Sequence, residues 1–140
     1  MSYFVVDASV AIKWFLPEVH GDAALRLLDA DHNLLVPDLL FPEIGNILWK
    51  RVRRGEATAK EAAATLNAFV ALPLRVHPCR RLLPLALEIA VRVQRSVYDS
   101  LYLAVAVLQN CPLVTADLKL YNTLKSGPLS ANLLWVGNVP

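Results

Sequence analysis

Short strand-like apolar runs alternate along this chain with longer stretches of helical periodicity, and no other feature limits the possible folds as much. Tyr3 to Val6, Asn33 to Val36, Leu74 to His77, Pro112 to Thr115 and Leu133 to Val136 read as strands. The run Tyr3-Phe4-Val5-Val6 has no polar face, as a strand covered on both sides requires. Repeated strand–helix units with short connections predict a three-layer α/β/α domain with a mainly parallel sheet, spanning residues 1–140.

The helical stretches carry their own start and stop signals. Ala8 to Leu16 ends at Pro17, and Gly21-Asp22 opens a helix expected to reach Ala30 with Leu25 and Leu28 on one face. Pro42 suits the first turn of a helix running to about Arg54, where Gly55 stops it. Thr58 and Glu61 have capping-box spacing, and Pro73 bounds the helix they begin. Leu82 to about Gln94 is predicted helical with Pro84 in its first turn, where the missing N–H costs nothing. Ser96 caps a helix reaching Gln109, and Leu118 to Leu124 forms a short one.

Composition narrows the class. At 140 residues the chain can build a full core without disulfides or a structural metal. A hydrophobic content of 56% is high for a chain that also needs a polar surface, so part of it is expected at an interface. The start lacks the basic region and cleavage site of a signal peptide, and Glu88, Asp99 and Gln109 interrupt the apolar segments before spanning length. A cytoplasmic protein with no membrane partner is expected. Cys79 and Cys111 lack CxxC or histidine spacing, His20, His32 and His77 lack partners for a triad or zinc site, and Ser9 and Ser100 lack a Gly-x-Ser-x-Gly context.

The acids are more informative. Asp7 ends the first strand and Asp117 follows the fourth, so in a parallel sheet both project beyond the carboxyl edge, where open α/β folds bind ligands. Glu43 and Asp99 fall in the first turns of two helices. Each has a structural reading as well: Asp7 and Asp117 as N-caps, Glu43 as a helix-dipole partner, and Asp99 as the third residue after the Ser96 cap. Gathered in one crevice, the four would make an oxygen-only site for a hard divalent cation.

The segments Val5-Val6-Asp7-Ala8-Ser9, Pro42-Glu43-Ile44-Gly45-Asn46, Tyr98-Asp99-Ser100-Leu101-Tyr102-Leu103-Ala104 and Thr115-Ala116-Asp117 resemble those of the PIN-domain ribonucleases, and within them the toxins of VapBC-type toxin–antitoxin modules. The resemblance covers essentially the whole chain. It implies an endoribonuclease dependent on Mg²⁺ or Mn²⁺, with metal-binding acids on Asp7, Glu43, Asp99 and Asp117 and the family's small hydroxyl on Thr115. It places a supporting hydroxyl on Ser9, and Asn46 is a second supporting candidate. It also implies a cognate antitoxin seated in an apolar groove and a homodimer formed through a separate helical face.

Cations suited to an RNA backbone cluster at Lys50, Arg51, Arg53 and Arg54, with Arg80, Arg81, Arg92, Arg95 and Lys119 as further candidates. The cluster also suits a helix C-terminus simply as charge complementing the dipole. Two rival functions stand beside the nuclease. One is a PIN-like module that binds RNA or protein without cutting. The other is an aspartyl-phosphate phosphatase with Asp7 as nucleophile, which Ser9 disfavours by standing where a second aspartate is needed.

Overall fold

The computed structural model describes residues 2–140. Five strands form one sheet: β1 (Ser2–Val6), β2 (His32–Pro37), β3 (Arg75–His77), β4 (Leu113–Thr115) and β5 (Leu133–Trp135). Their order is β3-β2-β1-β4-β5 and every pairing is parallel. The chain therefore moves outward from β1 to β3, then crosses back to lay β4 against the other side of β1. The gap beyond the carboxyl ends of β1 and β4 is the topological switch point, where neighbouring connections leave in opposite directions.

Helices cover the sheet to give the three-layer α/β/α architecture that the alternating pattern requires. They are α1 (Ala8–Ala11), α2 (Gly21–Arg26), α3 (Leu40–Arg53), α4 (Ala59–Val70), α5 (Cys79–Val93), α6 (Val97–Gln109) and α7 (Leu118–Leu124). The central strand has Val5 and Val6 wholly inaccessible, and α6, which packs on β1, β2 and β4, is buried from Ser100 through Ala106. A helix apolar on all sides belongs inside. Phe69 at the end of α4 is fully buried beneath Trp14, Phe15 and Phe41, with ring centroids 6.4, 6.0 and 5.6 Å away. These four aromatic rings therefore belong to the core. Trp49 and Tyr98 are exceptions, at 52% and 65% exposure, and Tyr3 is 40% exposed.

Local chemistry explains most boundaries. Thr58 Oγ1 accepts the Glu61 N–H at 3.1 Å while Glu61 Oε1 accepts the Thr58 N–H at 3.0 Å, completing the capping box. Pro78, the N-cap of α5, offers no side-chain cap, and Asp38 supplies one from the end of β2 by accepting the Cys79 N–H at 3.0 Å. Gln94 and Asn110 end α5 and α6 in the left-handed region, at φ 58° and 50°.

Three expectations change. The first helix is a single α-turn continued by a 3₁₀ turn over Ile12–Trp14, and does not run evenly to Leu16. α2 stops at Arg26, because Leu27, Leu28 and Asp29 bond three residues back and tighten the chain toward β2. Its buried side is Ala23, Ala24 and Leu27, leaving Leu25 and Leu28 at 48% and 38% exposure. Finally, α5 begins at Cys79, so Pro84 lies in its second turn and leaves the Arg80 carbonyl without an i+4 donor.

Candidate active site

Asp7 leaves β1 and caps α1, its Oδ1 accepting the Val10 N–H at 3.2 Å. Both carboxylate oxygens are further held by hydroxyls: Ser9 Oγ donates to Oδ1 at 2.5 Å and Thr115 Oγ1 donates to Oδ2 at 2.6 Å. Pairing of Val6 with Val114 sets Thr115 beside Asp7, so register alone delivers the second contact. Asp7 is only 8% exposed, and burial pushes its carboxyl up to about 6, with the Asp117 charge adding to the rise and the two hydroxyls opposing it.

Asp117 caps α7 in the same manner, accepting the Leu120 N–H on Oδ1 at 3.1 Å. The hydroxyls that grip Asp7 also bind this segment: Thr115 Oγ1 accepts the Asp117 N–H and Ser9 Oγ accepts the Ala116 N–H, both at 3.0 Å. Each hydroxyl is donor and acceptor at once. The ends of β1 and β4 are thereby stitched into one unit, and the capping role of each aspartate coexists with its place at the crevice.

Glu43 enters from the first turn of α3 and Asp99 from the first turn of α6. Tyr102, one turn after Asp99, donates its hydroxyl to Glu43 Oε1 at 2.5 Å. Glu43 is raised above the ordinary glutamate range, first by burial and then by the Asp99 charge, while Tyr102 opposes the shift. The phenol of Tyr102 is itself pushed strongly upward by burial and by Glu43, so it stays a donor. Ser96 Oγ accepts the Asp99 N–H at 3.1 Å, but the Asp99 carboxylate turns instead to Arg95, whose Nε and Nη2 lie 3.2 and 2.9 Å from Oδ2.

Asp7, Glu43, Asp99 and Asp117 line one cavity of about 190 Å³ together with Ala8, Ser9, Tyr102, Leu113 and Leu120. The donors suit Mg²⁺ or Mn²⁺ in type, being oxygen only, and the upward shifts of Asp7 and Glu43 come first from burial, with a neighbouring carboxylate adding to each. Among the described residues, no three acids stand as a closed coordination cluster. A cation binding here has to draw them together.

The remaining predicted residues divide. Thr115 and Ser9 are built into the site, whereas Asn46 is exposed and does not line the cavity. Lys50, Arg53, Arg54 and Lys119 are exposed; Arg51 is half-buried and bonds Glu56 at 3.4 Å, and the Arg53 guanidinium lies over Trp49, 5.2 Å from the ring centroid. Since α3 carries Glu43 in its first turn and Lys50, Arg51 and Arg53 in its last, these three sit roughly 10–15 Å from Glu43 along the helix. Tyr102 was not anticipated, although its spacing from Asp99 puts both on one helix face. Arg95 was anticipated only as a further candidate for the RNA backbone, whereas it pairs with Asp99.

The PIN domain family profile matches residues 4–125. Ribonuclease VapC3 of Pyrobaculum aerophilum is 33% identical over 118 residues, covering 83% of this chain and 90% of that protein. Among solved structures, PAE2754 from Pyrobaculum aerophilum superposes with a TM-score of 0.71 at 25% identity, covering 97% of this chain and 85% of that one. VapBC2 from Rickettsia felis, bound to a DNA fragment from its promoter, shares the fold with a TM-score of 0.63 at 16% identity, covering 95% and 96%.

Proposed function

The chain belongs to the PIN-domain family, and from that we propose that it is a VapC-type endoribonuclease, hydrolysing RNA phosphodiester bonds as the toxin half of a toxin–antitoxin pair. The observation that carries this reading is the convergence of Asp7, Glu43, Asp99 and Asp117 on one crevice at the switch point of the sheet. These four side chains would hold Mg²⁺ or Mn²⁺. The bound ion would supply Lewis acidity to the scissile phosphate and ionise the attacking water at neutral pH.

The chain's own groups do the positioning. Ser9 and Thr115 fix both oxygens of Asp7, so its orientation is set before any ligand arrives. Tyr102 fixes Glu43 from the neighbouring helix. Asp117 is anchored through one oxygen at the α7 N-terminus, and among the described residues no hydroxyl or backbone donor restrains its other oxygen. Lys50, Arg53, Arg54 and Lys119 lie outside this ring, and we assign them to the RNA phosphate backbone, whose approach to an acidic crevice needs compensating charge.

Two apolar surfaces suit the remaining partners. Gly45, Leu48, Trp49 and Val52 of α3 face Ala62 and Leu66 of α4 across a groove of about 280 Å³, which we assign to an amphipathic antitoxin segment. Leu83, Leu87 and Val91 repeat every four residues along α5 at 48%, 56% and 66% exposure, a stripe we assign to a homodimer. Among the described residues no helix is long and apolar enough to cross a membrane. We place the protein in the cytoplasm as one PIN domain over residues 1–140.

The deciding experiment incubates purified protein with a mixed RNA substrate, with Mn²⁺ or Mg²⁺, with excess EDTA, and as Asp7→Asn. Cleavage that needs both the metal and Asp7 supports the reading. Equal cleavage in EDTA, or by Asp7→Asn, overturns it.

A further inference from the structure

Arg95 stands in the two-helix joint that feeds the crevice. Gln94 before it closes α5 in the left-handed conformation and Ser96 after it caps α6, so its backbone is clamped on both sides. Its side chain is only 16% exposed. Two of its nitrogens converge on Asp99 Oδ2, and Nη2 also lies 4.0 Å from Asp117 Oδ2. These carboxylates come from different elements, α6 and the start of α7, and among the described residues no other cation pairs with either.

We infer that Arg95 is a built-in counter-cation that holds Asp99 and Asp117 in the metal-free protein, competes with the divalent cation for them, and is released when that cation binds. The inference rests on the metal reading proposed above. A guanidinium within hydrogen-bond distance of one ligand and close to a second repels an incoming double charge. That repulsion outweighs what a partly exposed ion pair contributes by holding Asp99 still. Arg95 thus acts through the acids as a positioning residue: it stabilises the empty crevice and sets the metal concentration at which loading occurs.

The test is calorimetric titration of the purified chain with Mn²⁺ and Mg²⁺, alongside thermal unfolding with and without each ion. Arg95→Gln and Arg95→Met should bind Mn²⁺ roughly tenfold more tightly than the parent, because the competing charge is gone. They should also melt earlier without metal and show a larger metal-induced rise in Tm. Arg95→Lys, which keeps the charge, should stay near the parent affinity. In the unmutated chain, the Arg95 Nε–H resonance should lose its hydrogen-bonded shift and its exchange protection as Mg²⁺ saturates.

Weaker or unchanged Mn²⁺ binding in the Gln and Met variants, or an Nε–H still protected at saturating Mg²⁺, would show instead that Arg95 is a fixed brace for Asp99 and overturn the inference. If the parent itself binds neither ion, the metal reading fails and takes the inference with it. The two failures are therefore distinguishable in one titration series.

Discussion

Thr115 Oγ1 donates to Asp7 Oδ2 at 2.6 Å, so one buried hydroxyl fixes an acid that lies 108 positions earlier in the chain. The same oxygen accepts the Asp117 N–H at 3.0 Å, which makes Thr115 the joint between two acids of the crevice. Thr115→Val preserves shape and removes both bonds. It should lower stability by about 1–3 kcal/mol, through the unpaired Asp117 N–H and the loosened Asp7 carboxylate. RNA cleavage should fall with it, whereas Thr115→Ser should keep most of both. Chemical denaturation and a cleavage assay on the two variants check this, and a fully active Thr115→Val would remove Thr115 from the site.

Asp7→Asn should separate stability from function. Because burial disfavours the charged form of Asp7, the metal-free variant should be at least as stable as the parent at pH 7. It should nevertheless lose cleavage and most of the stabilisation that Mn²⁺ gives, since that stabilisation depends on binding to the folded state. Asp99→Asn and Asp117→Asn should lose cleavage likewise. Melting curves with and without Mn²⁺ report both effects together.

The pH dependence follows from the same burial. Asp7 titrates near 6 in the fold against 3.8 when exposed, so between those values the unfolded chain gives up its proton while the folded one keeps it. Folding therefore loses free energy as pH rises through this window, by up to about 3 kcal/mol from Asp7. Glu43 is shifted in the same direction. Metal-free protein in EDTA should have a higher denaturation midpoint near pH 5 than at pH 7.5, and Asp7→Asn should reduce the difference. A midpoint that rises over this interval to the same extent in both proteins would contradict the assignment.

Trp49 should report the proposed antitoxin groove. At 52% exposure it contributes little to the core, so Trp49→Ala should leave Tm nearly unchanged. Antitoxin affinity should fall by at least tenfold, as removal of an aromatic anchor usually causes. Leu87→Arg on α5 should leave that affinity alone and shift the sedimentation mass from dimer to monomer. Loss of dimerisation with Trp49→Ala would exchange the two assignments.

For the basic end of α3, Arg53→Ala with Arg54→Ala should weaken RNA binding similarly across sequences. Each lost phosphate contact should flatten the log–log salt slope by about 0.7 for single strands. An unchanged slope in the double variant would return these residues to the helix C-terminus as simple dipole partners.

The alternation of strand and helix was legible because Val5 and Val6 of β1, Leu35 and Val36 of β2 and Leu113 and Val114 of β4 are buried in unbroken apolar runs, and the acids were legible because each follows a strand or a helix cap. What sequence alone could not show was direction. Asp99 has the spacing for a capping box with Ser96, yet its carboxylate answers to Arg95, since a guanidinium offers two charged donors where a backbone amide offers one neutral donor. Tyr102 reads as one more aromatic on an apolar helix until α3 brings Glu43 against its hydroxyl. Leu25 and Leu28 read as one apolar face of a helix reaching Ala30, but α2 stops at Arg26 and turns Ala23 and Ala24, with Leu27 just beyond it, to the core instead.

The placement of β4 has a consequence for synthesis. Asp7, Glu43 and Asp99 leave the ribosome before Leu113 does, but β1 has only one neighbour until β4 inserts on its open edge. Until then Asp7 lacks its Thr115 clamp, Asp117 does not exist, and the switch-point crevice has one wall. Pairing across so long an interval of chain is slow and comes late in folding. A chain that stops short of β4 therefore carries Asp7, Glu43 and Asp99 without the Thr115 clamp or the Asp117 carboxylate, and its crevice is incomplete.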